Sequence, residues 1–413
     1  MPITIDMNQK YTRILCLPVL VGALGYFVDI YDLLLFSIIR VPSLKSMGLT
    51  DELIKTEGMR IINIQMLGLL IGGIIWGVLG DKKGRLKVLF GSILLYSLAN
   101  IANGFVTNVE QYTWLRFITG IGLAGELGAS ITLVSEILSK EKRGIGTSLV
   151  AGIGLSGAVA AYFVSKYFDW HTCYFIGGGL GLALLLLRVS VYESHMFEQV
   201  STKKISKGNF LLFFTNAKRF KKYLLSILIG LPNWYVIGIL ITFSKEFGAA
   251  FQIKETINAG KAVMYAYVGI SIGDIATGLI SQWLRSRKKV LYIFYALTAV
   301  SIFLYFQQQQ GTANNMYWIC ALLGFSTGFW AILVTMAAEQ FGTNLRATAA
   351  TTVPNMVRGS LNLITLLFVS LQTAFDYIES AWVTGIAIMI IAIVSAICTQ
   401  ETFGKDLDYI EED

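Results

Sequence analysis

The stretch 116-RFITGIGLAGELGASITLVSEILSKEKRG-144 places charged residues inside an otherwise apolar, glycine-rich segment. Arg116 and Glu126 lie within it, and Glu136 and Arg143 close it, seven residues apart. A charged side chain in the hydrocarbon layer costs roughly 2.5–3.5 kcal/mol even on lenient insertion scales, so it usually faces a bundle interior or a watery cavity. We therefore expect Arg116 and Glu126 to line a cavity.

The closing pair of this stretch recurs once. Glu339 and Arg346 repeat the seven-residue step in 339-EQFGTNLRAT-348, at an offset close to half of the 413 residues. A second echo pairs 192-YESHMF-197 with 400-QETFGK-405 at a similar offset. Two echoes at one period indicate two homologous halves, as in transport proteins built from repeats.

Composition indicates a membrane protein that crosses the bilayer many times. The chain is 55% hydrophobic and 14% charged, with a mean hydropathy of +0.63, whereas soluble domains carry about 25% charged residues. A helix that spans the bilayer needs about 20 apolar residues. An all-α protein with twelve such spans is predicted, at 14–39, 59–80, 86–106, 112–138, 145–167, 172–190, 223–245, 260–284, 290–307, 317–340, 347–373 and 381–400.

The spans group into two pseudo-symmetric bundles of six helices. We predict one bundle over 1–190, a lysine-rich cytoplasmic linker over 191–222, and a second bundle over 223–413 that ends in an acidic tail. Most of the 33 Lys and Arg residues fall on the side that holds both termini, so both termini are expected in the cytoplasm.

Net charge, cysteine and histidine spacing and the absence of a sequon limit which partners the protein is expected to have. The net charge of +7 follows from the topology and gives no reason to invoke nucleic acid. The four cysteines and two histidines have no metal-ligand spacing, so we expect no metal and no cofactor. The chain contains no N-x-[ST] sequon, which favours a bacterial inner membrane. We expect a monomer whose partners are a small molecule, protons and the lipid bilayer.

Helix 1 carries two acidic residues within its predicted membrane span. Asp29 and Asp32 are three residues apart, on one helical face, and at about the depth of Arg116. A salt bridge from Asp32 or Asp29 to Arg116 would keep both charges in the membrane, and it could be a static pair that only joins the helices. However, Asp29, Asp32 and Glu126 outnumber the single arginine, so at least one carboxyl must be protonated, hydrated or bound to substrate. We therefore predict that these four residues couple transport to protons.

The second half carries Asp274 on helix 8 and Arg358 on helix 11. Two interpretations stay open. Arg358 can neutralise Asp274, or it can bind a substrate carboxylate, for which its planar fork is suited.

Two helices of the second half are interrupted by proline, at Pro232-Asn233 and Pro354-Asn355. Proline frees backbone carbonyls, which must face a cavity or another helix. Nearby aromatic residues are candidates for a pocket, although such residues often serve packing. The predicted substrate site comprises Arg358, Asn355, Asn233, Trp234, Tyr265, Trp330 and Asp274, with Tyr235 and Tyr267 as further candidates.

A polar turn between helices 2 and 3 carries a family resemblance. Gly77, Asp81, Gly84 and Arg85 in 77-GVLGDKKGRLKVL-89 meet the pattern G-x-x-x-D-[RK]-x-G-R. This turn resembles the signature of the major facilitator superfamily.

Further motifs extend the resemblance over the whole chain. Arg116, Gly120 and Gly122 are similar to the helix 4 signature of that superfamily. The Glu-x6-Arg steps and 25-GYFVDIYD-32 resemble its metabolite:proton symporter and sugar-porter branches, although Asp29 stands where those symporters carry glutamate. Helix 7 lacks the paired glutamines with which sugar porters hold a hexose, so a hexose is disfavoured.

The resemblance implies a secondary transporter whose halves rock about a central cavity lined by helices 1, 4, 7 and 10. It implies proton symport of a small organic carboxylate or zwitterion. A uniporter or exchanger of the same fold is the alternative. An enzyme or sensor is disfavoured, because no nucleophile–base pair or metal cluster is visible.

The resemblance also implies a cytoplasmic latch, in which Asp81 approaches the start of helix 11. The predicted gating residues are Gly77, Asp81, Gly84 and Arg85, with Glu136 and Arg143 bracing one helix end and Glu339 and Arg346 the other.

Overall fold

A computed structural model describes residues 16–138, 140–188, 209–405 and 410–411, without the side chains of residues 85, 140, 141, 143 and 188. The predicted linker and acidic tail therefore lie partly outside the described residues. Among the described residues, seven long helices are continuous: α1 Leu17–Ser46, α2 Asp51–Lys83, α3 Arg85–Asn103, α6 Trp170–Arg188, α8 Ala259–Leu284, α9 Arg287–Phe306 and α12 Tyr377–Cys398. Two short helices, Leu212–Thr215 and Ser244–Ala250, lie before and after α7.

Five helical regions are interrupted: α4 by a break between Val109–Leu123 and Glu126–Ile137, α5 between Lys140–Leu155 and Gly157–Tyr167, α7 between Ala217–Leu228, Leu231–Tyr235 and a π-helical turn Val236–Ile241, α10 between Ala313–Ser326 and Trp330–Gln340, and α11 between Arg346–Gly359 and Leu361–Leu371. The predicted all-α membrane fold is confirmed. Among the described residues, eleven regions are long and apolar enough to cross a membrane. The predicted span at 347–373 corresponds to α11, which is not among these eleven regions, and the first helix of α11 is buried and rich in threonine and alanine.

Some helix ends differ from the prediction. α1 continues to Ser46 through Pro42, seven residues beyond its predicted end at 39. Arg40 therefore belongs to a helix instead of a loop, and its side chain is buried. α2 likewise begins at Asp51, where Thr50 caps the helix by accepting a hydrogen bond from Leu53.

The break in α10 lies where α10 packs closely against α8. α10 breaks at residues 327–329, and there its backbone touches α8: a β-carbon at Gly328 would lie 2.5 Å from the Gly273 backbone. The two halves meet mainly where α2 and α4 pack on α11 and where α5 packs on α8. Residues beside the breaks of α5, α7 and α10 line a space between the two halves.

Candidate functional site

A cavity lies between the two halves at the level of these breaks. It is small, with a volume of about 20 Å³, which is room for about one water molecule. Its lining comes from six helices of the two halves: Tyr26, Ile30 and Leu33 of α1, Leu155 of α5, Asn233, Trp234 and Ile237 of α7, Tyr267 and Ile270 of α8, Trp330 of α10, and Arg358 of α11.

Arg358 carries the only charge among these lining residues. Its Nη1 donates to Asn355 Oδ1 at 3.1 Å and its Nη2 to Tyr26 Oη at 3.5 Å. The guanidinium carbon lies 5.5 Å from the Trp330 ring centroid. Arg358 is 1% exposed, and among the described residues no acidic side chain forms an ion pair with it. A buried charge is costly unless it is paired, so the cavity is suited to an anion.

The predicted pair of Arg358 and Asp274 is not what the structure shows. Asp274 Oδ1 accepts a hydrogen bond from the Ala331 backbone N–H at 3.0 Å, at the start of the second α10 helix. Backbone N–H groups at a helix N-terminus have no partner within the helix and attract a carboxylate. Asp274 reaches them because Gly273 and Gly328 let α8 and α10 touch. Asp274 therefore lies beside the cavity lining and supports Trp330 from behind.

Three lining residues have polar atoms without a hydrogen-bond partner among the described residues, and one of them is Arg358, at its Nε. Asn233 Nδ2 donates to the Thr327 carbonyl at 2.7 Å, which leaves Asn233 Oδ1 unpartnered. Trp330 Nε1 is also unpartnered. Both side chains are at most 4% exposed. The cavity thus offers a cation, an acceptor and a donor between apolar walls.

Two other predicted aromatic residues lie away from the cavity. The Tyr265 ring packs on Tyr317, with centroids 5.6 Å apart, and on Trp318. Tyr235 donates to the Ala381 carbonyl of α12 at 2.7 Å. Sequence reasoning missed Tyr26, although its position three residues before Asp29 places both on one face of α1.

Arg116 is fully buried among α1, α2 and α3. It donates to the Asp32 backbone carbonyl at 3.0 Å, to Gln65 at 3.2 Å and to Asn100 at 3.4 Å. The predicted salt bridge to the Asp32 carboxylate is therefore replaced by a bond to its carbonyl. The reason is the direction of the Asp32 side chain, which turns toward Gly177 of α6.

Glu126 begins the second helix of α4, directly after the break. It is fully buried, and its Oε1 accepts a hydrogen bond from Ser130 at 3.1 Å. The carbonyl of Ala124 in the break accepts from Asn355 Nδ2 at 2.8 Å. Because Asn355 also bonds Arg358, a chain of contacts joins the arginine in the cavity to the helix end that carries Glu126.

Asp81, Ala347 and Thr348 join the two halves on one face of the molecule, and we call this cluster the Asp81 contact. Asp81 accepts hydrogen bonds from the backbone N–H groups of Ala347 and Thr348, at 3.1 and 2.8 Å, and from the Thr348 hydroxyl at 2.6 Å. A β-carbon at Gly77 would lie 3.1 Å from Thr348 Cα, so a glycine permits this approach. Asp81 thus caps the N-terminus of α11, where the resemblance places it.

The turn after Asp81 requires a glycine. Gly84 has a φ of +101°, a conformation that side-chain-bearing residues rarely adopt. The predicted role of Arg85 concerns a side chain outside those that the structure describes.

The acids of the two Glu–Arg steps form ion pairs with arginines of other helices. Glu136 pairs with Arg346 of the other half at 3.3 Å, and both side chains are fully buried. Glu339 pairs with Arg287 at the start of α9, at 3.1 Å. The side chain of Arg143 lies outside the described ones. The Glu136–Arg346 pair crosses between the halves and lies beside the Asp81 contact.

Glu401 lies just beyond α12 and caps α9. Burial opposes its charge, but hydrogen bonds from the Ser286 hydroxyl and from the backbone N–H groups of Phe403, Arg287 and Lys288 outweigh this and hold the pKa of Glu401 below its usual value. Glu401, in the second copy of the repeated sequence (400–405), therefore joins the end of α12 to α9. Its first-half counterpart, Glu193, lies outside the described residues.

A second cluster, which we call the Arg40 contact, joins the halves on the opposite face. Arg40 Nη2 pairs with Glu246 Oε1 at 2.9 Å, and the guanidinium lies 4.7 Å from the Phe243 ring centroid. Arg40 is fully buried, yet its Nε and Nη1 have no hydrogen-bond partner among the described residues. The exposed pair of Lys245 and Asp51 lies nearby at 3.3 Å. This contact was not predicted, because the sequence places Arg40 in a loop after helix 1.

Metal chemistry finds no support at these sites. Among the residues that the structure describes, no three His, Cys, Asp or Glu side chains converge to hold a metal ion.

Comparison with known proteins identifies related sequences over most of the chain. The sequence model described as Major Facilitator Superfamily matches residues 22–365. The chain is 28% identical to the niacin transporter NiaP of Acinetobacter baylyi, over 94% of this chain and 95% of that protein. It is 29% identical to the 3-(3-hydroxy-phenyl)propionate transporter of Escherichia coli, covering 71% and 72%. It is 25% identical to the 4-hydroxybenzoate transporter PcaK of Pseudomonas putida, covering 70% and 71%.

The fold also matches a solved structure. The proton:xylose symporter XylE, bound to 6-bromo-6-deoxy-D-glucose, superposes with a TM-score of 0.72 over 95% of this chain and 97% of that one. The two sequences are 17% identical, so the match concerns the fold alone.

Proposed function

Because this chain belongs to the major facilitator superfamily and is a small-solute transporter, not an enzyme, we propose that its substrate is a small aromatic carboxylate moved by alternating access. The observation that carries the proposal is the buried Arg358 beside the Trp330 ring, which has no ion-pair partner among the described residues and is the only charged residue of the cavity lining. The relatives named above are transporters of niacin, 4-hydroxybenzoate and 3-(3-hydroxy-phenyl)propionate. Each of these compounds joins an aromatic ring to a carboxylate.

The cavity suits each part of such a molecule. A carboxylate can accept two parallel hydrogen bonds from a guanidinium, a stronger arrangement than neutral hydrogen bonds give. The ring would lie against Trp330, Trp234 and the isoleucines of the lining. None of the lining residues is acidic, which favours a plain carboxylate over a zwitterion that carries a cationic group.

Alternating access requires the cavity to enlarge, because about 20 Å³ cannot hold an aromatic acid. The Asp81 contact and the Arg40 contact close the cavity from opposite faces. We propose that they open in turn, and that the Asp81 contact faces the bacterial cytoplasm, on the same side of the inner membrane as both termini. We propose that the protein is a monomer.

We propose further that protons accompany the substrate. Asp29, Asp32 and Glu126 are fully buried carboxyls in the first half. Asn355 bonds both Arg358 and the break that precedes Glu126. A change at Arg358 on substrate binding can therefore alter the surroundings of Glu126, which supports symport over uniport or exchange.

The test of the substrate class is binding by purified Arg358→Lys. Lysine keeps the positive charge but lacks the fork, so the variant should bind 4-hydroxybenzoate at least about tenfold more weakly, a difference of about 1.4 kcal/mol. Isothermal calorimetry measures this directly. Arg60→Lys is the matched control, because Arg60 lies outside the cavity and is 44% exposed.

Two results would contradict the proposal. The first is equal affinity of the Arg358→Lys variant and the unmodified protein. The second is a primary amide, 4-hydroxybenzamide, that binds as tightly as the acid, because an uncharged amide cannot neutralise Arg358.

A further inference from the structure

The orientation of the Asn233 amide is determined by its neighbour. Asn233 lies at the start of the helix that follows the break in α7 and is 2% exposed. Its Nδ2 lies 2.7 Å from the Thr327 carbonyl oxygen, which can only accept a hydrogen bond. The nitrogen must therefore face Thr327, and the oxygen must face the other way. Oδ1 is consequently an acceptor at a cavity wall, with no donor among the described residues.

Whereas Asn233 lacks a hydrogen-bond donor, Trp330 lacks an acceptor. Its indole Nε1 is a donor only, and it has no acceptor among the described residues. The Trp330 ring lies under the Arg358 guanidinium. One region of the cavity therefore presents donors, which suit a carboxylate, and Asn233 presents an acceptor, which a carboxylate cannot satisfy.

We propose that Asn233 Oδ1 selects substrates that carry a hydrogen-bond donor, such as a ring hydroxyl, in addition to the carboxylate. This inference rests on the proposed function and narrows it to hydroxylated aromatic acids. Benzoate leaves the buried Asn233 oxygen without a partner when it displaces water. An unprotonated pyridine nitrogen is itself an acceptor, so a pyridine carboxylate would set two acceptors against each other.

The test compares ligands of nearly equal size on the unmodified protein. Benzoate, 3-hydroxybenzoate, 4-hydroxybenzoate and pyridine-3-carboxylate are measured by calorimetry at neutral pH. The better hydroxybenzoate isomer should bind about tenfold more tightly than benzoate or pyridine-3-carboxylate. Affinities for benzoate and both isomers within twofold of each other would overturn the inference while leaving the carboxylate site intact. Absence of binding by all four acids would overturn the proposed function as well.

The Asn233→Ala variant tests whether Asn233 causes the preference for hydroxylated acids. In Asn233→Ala the tenfold preference should fall to about twofold or less, with benzoate affinity retained. Asn362→Ala is the matched control, because Asn362 Nδ2 also donates to a carbonyl, that of Gly359 at 3.0 Å, but lies outside the cavity lining. A preference that survives in Asn233→Ala would overturn the assignment. If Asn233→Ala does not fold, the ligand series on the unmodified protein decides.

Discussion

The Asp81 contact and the Arg40 contact both join the two halves, but their polar groups are satisfied to different degrees. Asp81 accepts three hydrogen bonds from the start of α11, and the Glu136–Arg346 pair beside it is fully buried. Arg40 forms one ion pair, with a Glu246 side chain that is 17% exposed. Its Nε and Nη1 lack partners among the described residues.

This difference predicts which face opens more easily. Opening the Asp81 contact exchanges satisfied hydrogen bonds for water, whereas opening the Arg40 contact lets unsatisfied N–H groups gain water. Water partly screens the Arg40–Glu246 pair, because the Glu246 side chain is 17% exposed. The Glu136–Arg346 pair is fully buried, and removing one partner of a buried pair costs about 3–5 kcal/mol. We therefore expect the protein to open more readily at the Arg40 contact than at the Asp81 contact.

The largest effect on this comparison is expected for Asp81→Asn. An amide lacks the charge that favours a helix N-terminus, an interaction worth about 2 kcal/mol when partly buried. Opening on the Asp81 face should rise about thirtyfold, the factor that about 2 kcal/mol corresponds to. Labelling of a single cysteine at the cavity position Ile30 by an impermeant maleimide, added from that face, measures the opening.

Asp169→Asn is the control for this experiment. Asp169 also caps a helix, by accepting from the Thr172 N–H at 2.9 Å, but it lies at an exposed turn before α6. Labelling that stays the same in Asp81→Asn, from either face, would show that Asp81 is not a latch.

A smaller effect is expected for Glu246→Gln, which removes the charge that pairs with Arg40. Arg40 keeps its stacking on Phe243, so opening on this face should rise only about threefold. The same cysteine, labelled from the Arg40 face, measures it. Asp51→Asn breaks the exposed pair with Lys245 and should change nothing measurable. A larger effect for Glu246→Gln than for Asp81→Asn would reverse the comparison.

The same two contacts show what the sequence could predict. The turn motif placed Asp81 near the start of helix 11, because a sequence signature recurs with its structural neighbours. No motif marks Arg40 and Glu246, which are separated by 206 residues and meet only in the folded chain. Hydropathy predicts that α1 lies in the membrane but predicts its end too early, because an arginine is typical of a loop even where it is buried.

The partners of buried charges were harder to predict than their depths. Helical rise gives the height of a residue in the bilayer but leaves the rotation of its helix undetermined. Arg116 and Asp32 lie in contact, as expected, yet the arginine bonds the carbonyl because the carboxyl turns to α6. Pairing of Asp274 with Arg358 is one of two interpretations that the sequence leaves open, but a break in α10 presents backbone N–H groups that bind Asp274. That break contains no proline from which it could be predicted.

The central claim is that an aromatic acid and protons move together, and uptake into proteoliposomes tests it most directly. Protein-dependent accumulation of labelled 4-hydroxybenzoate should require a lower pH outside than inside, after subtraction of entry into protein-free liposomes. Glu126→Gln should lose accumulation but keep the exchange of labelled for unlabelled substrate, because only proton binding is removed. Label that equilibrates without being concentrated under the pH gradient, or no protein-dependent entry at all, would contradict the account.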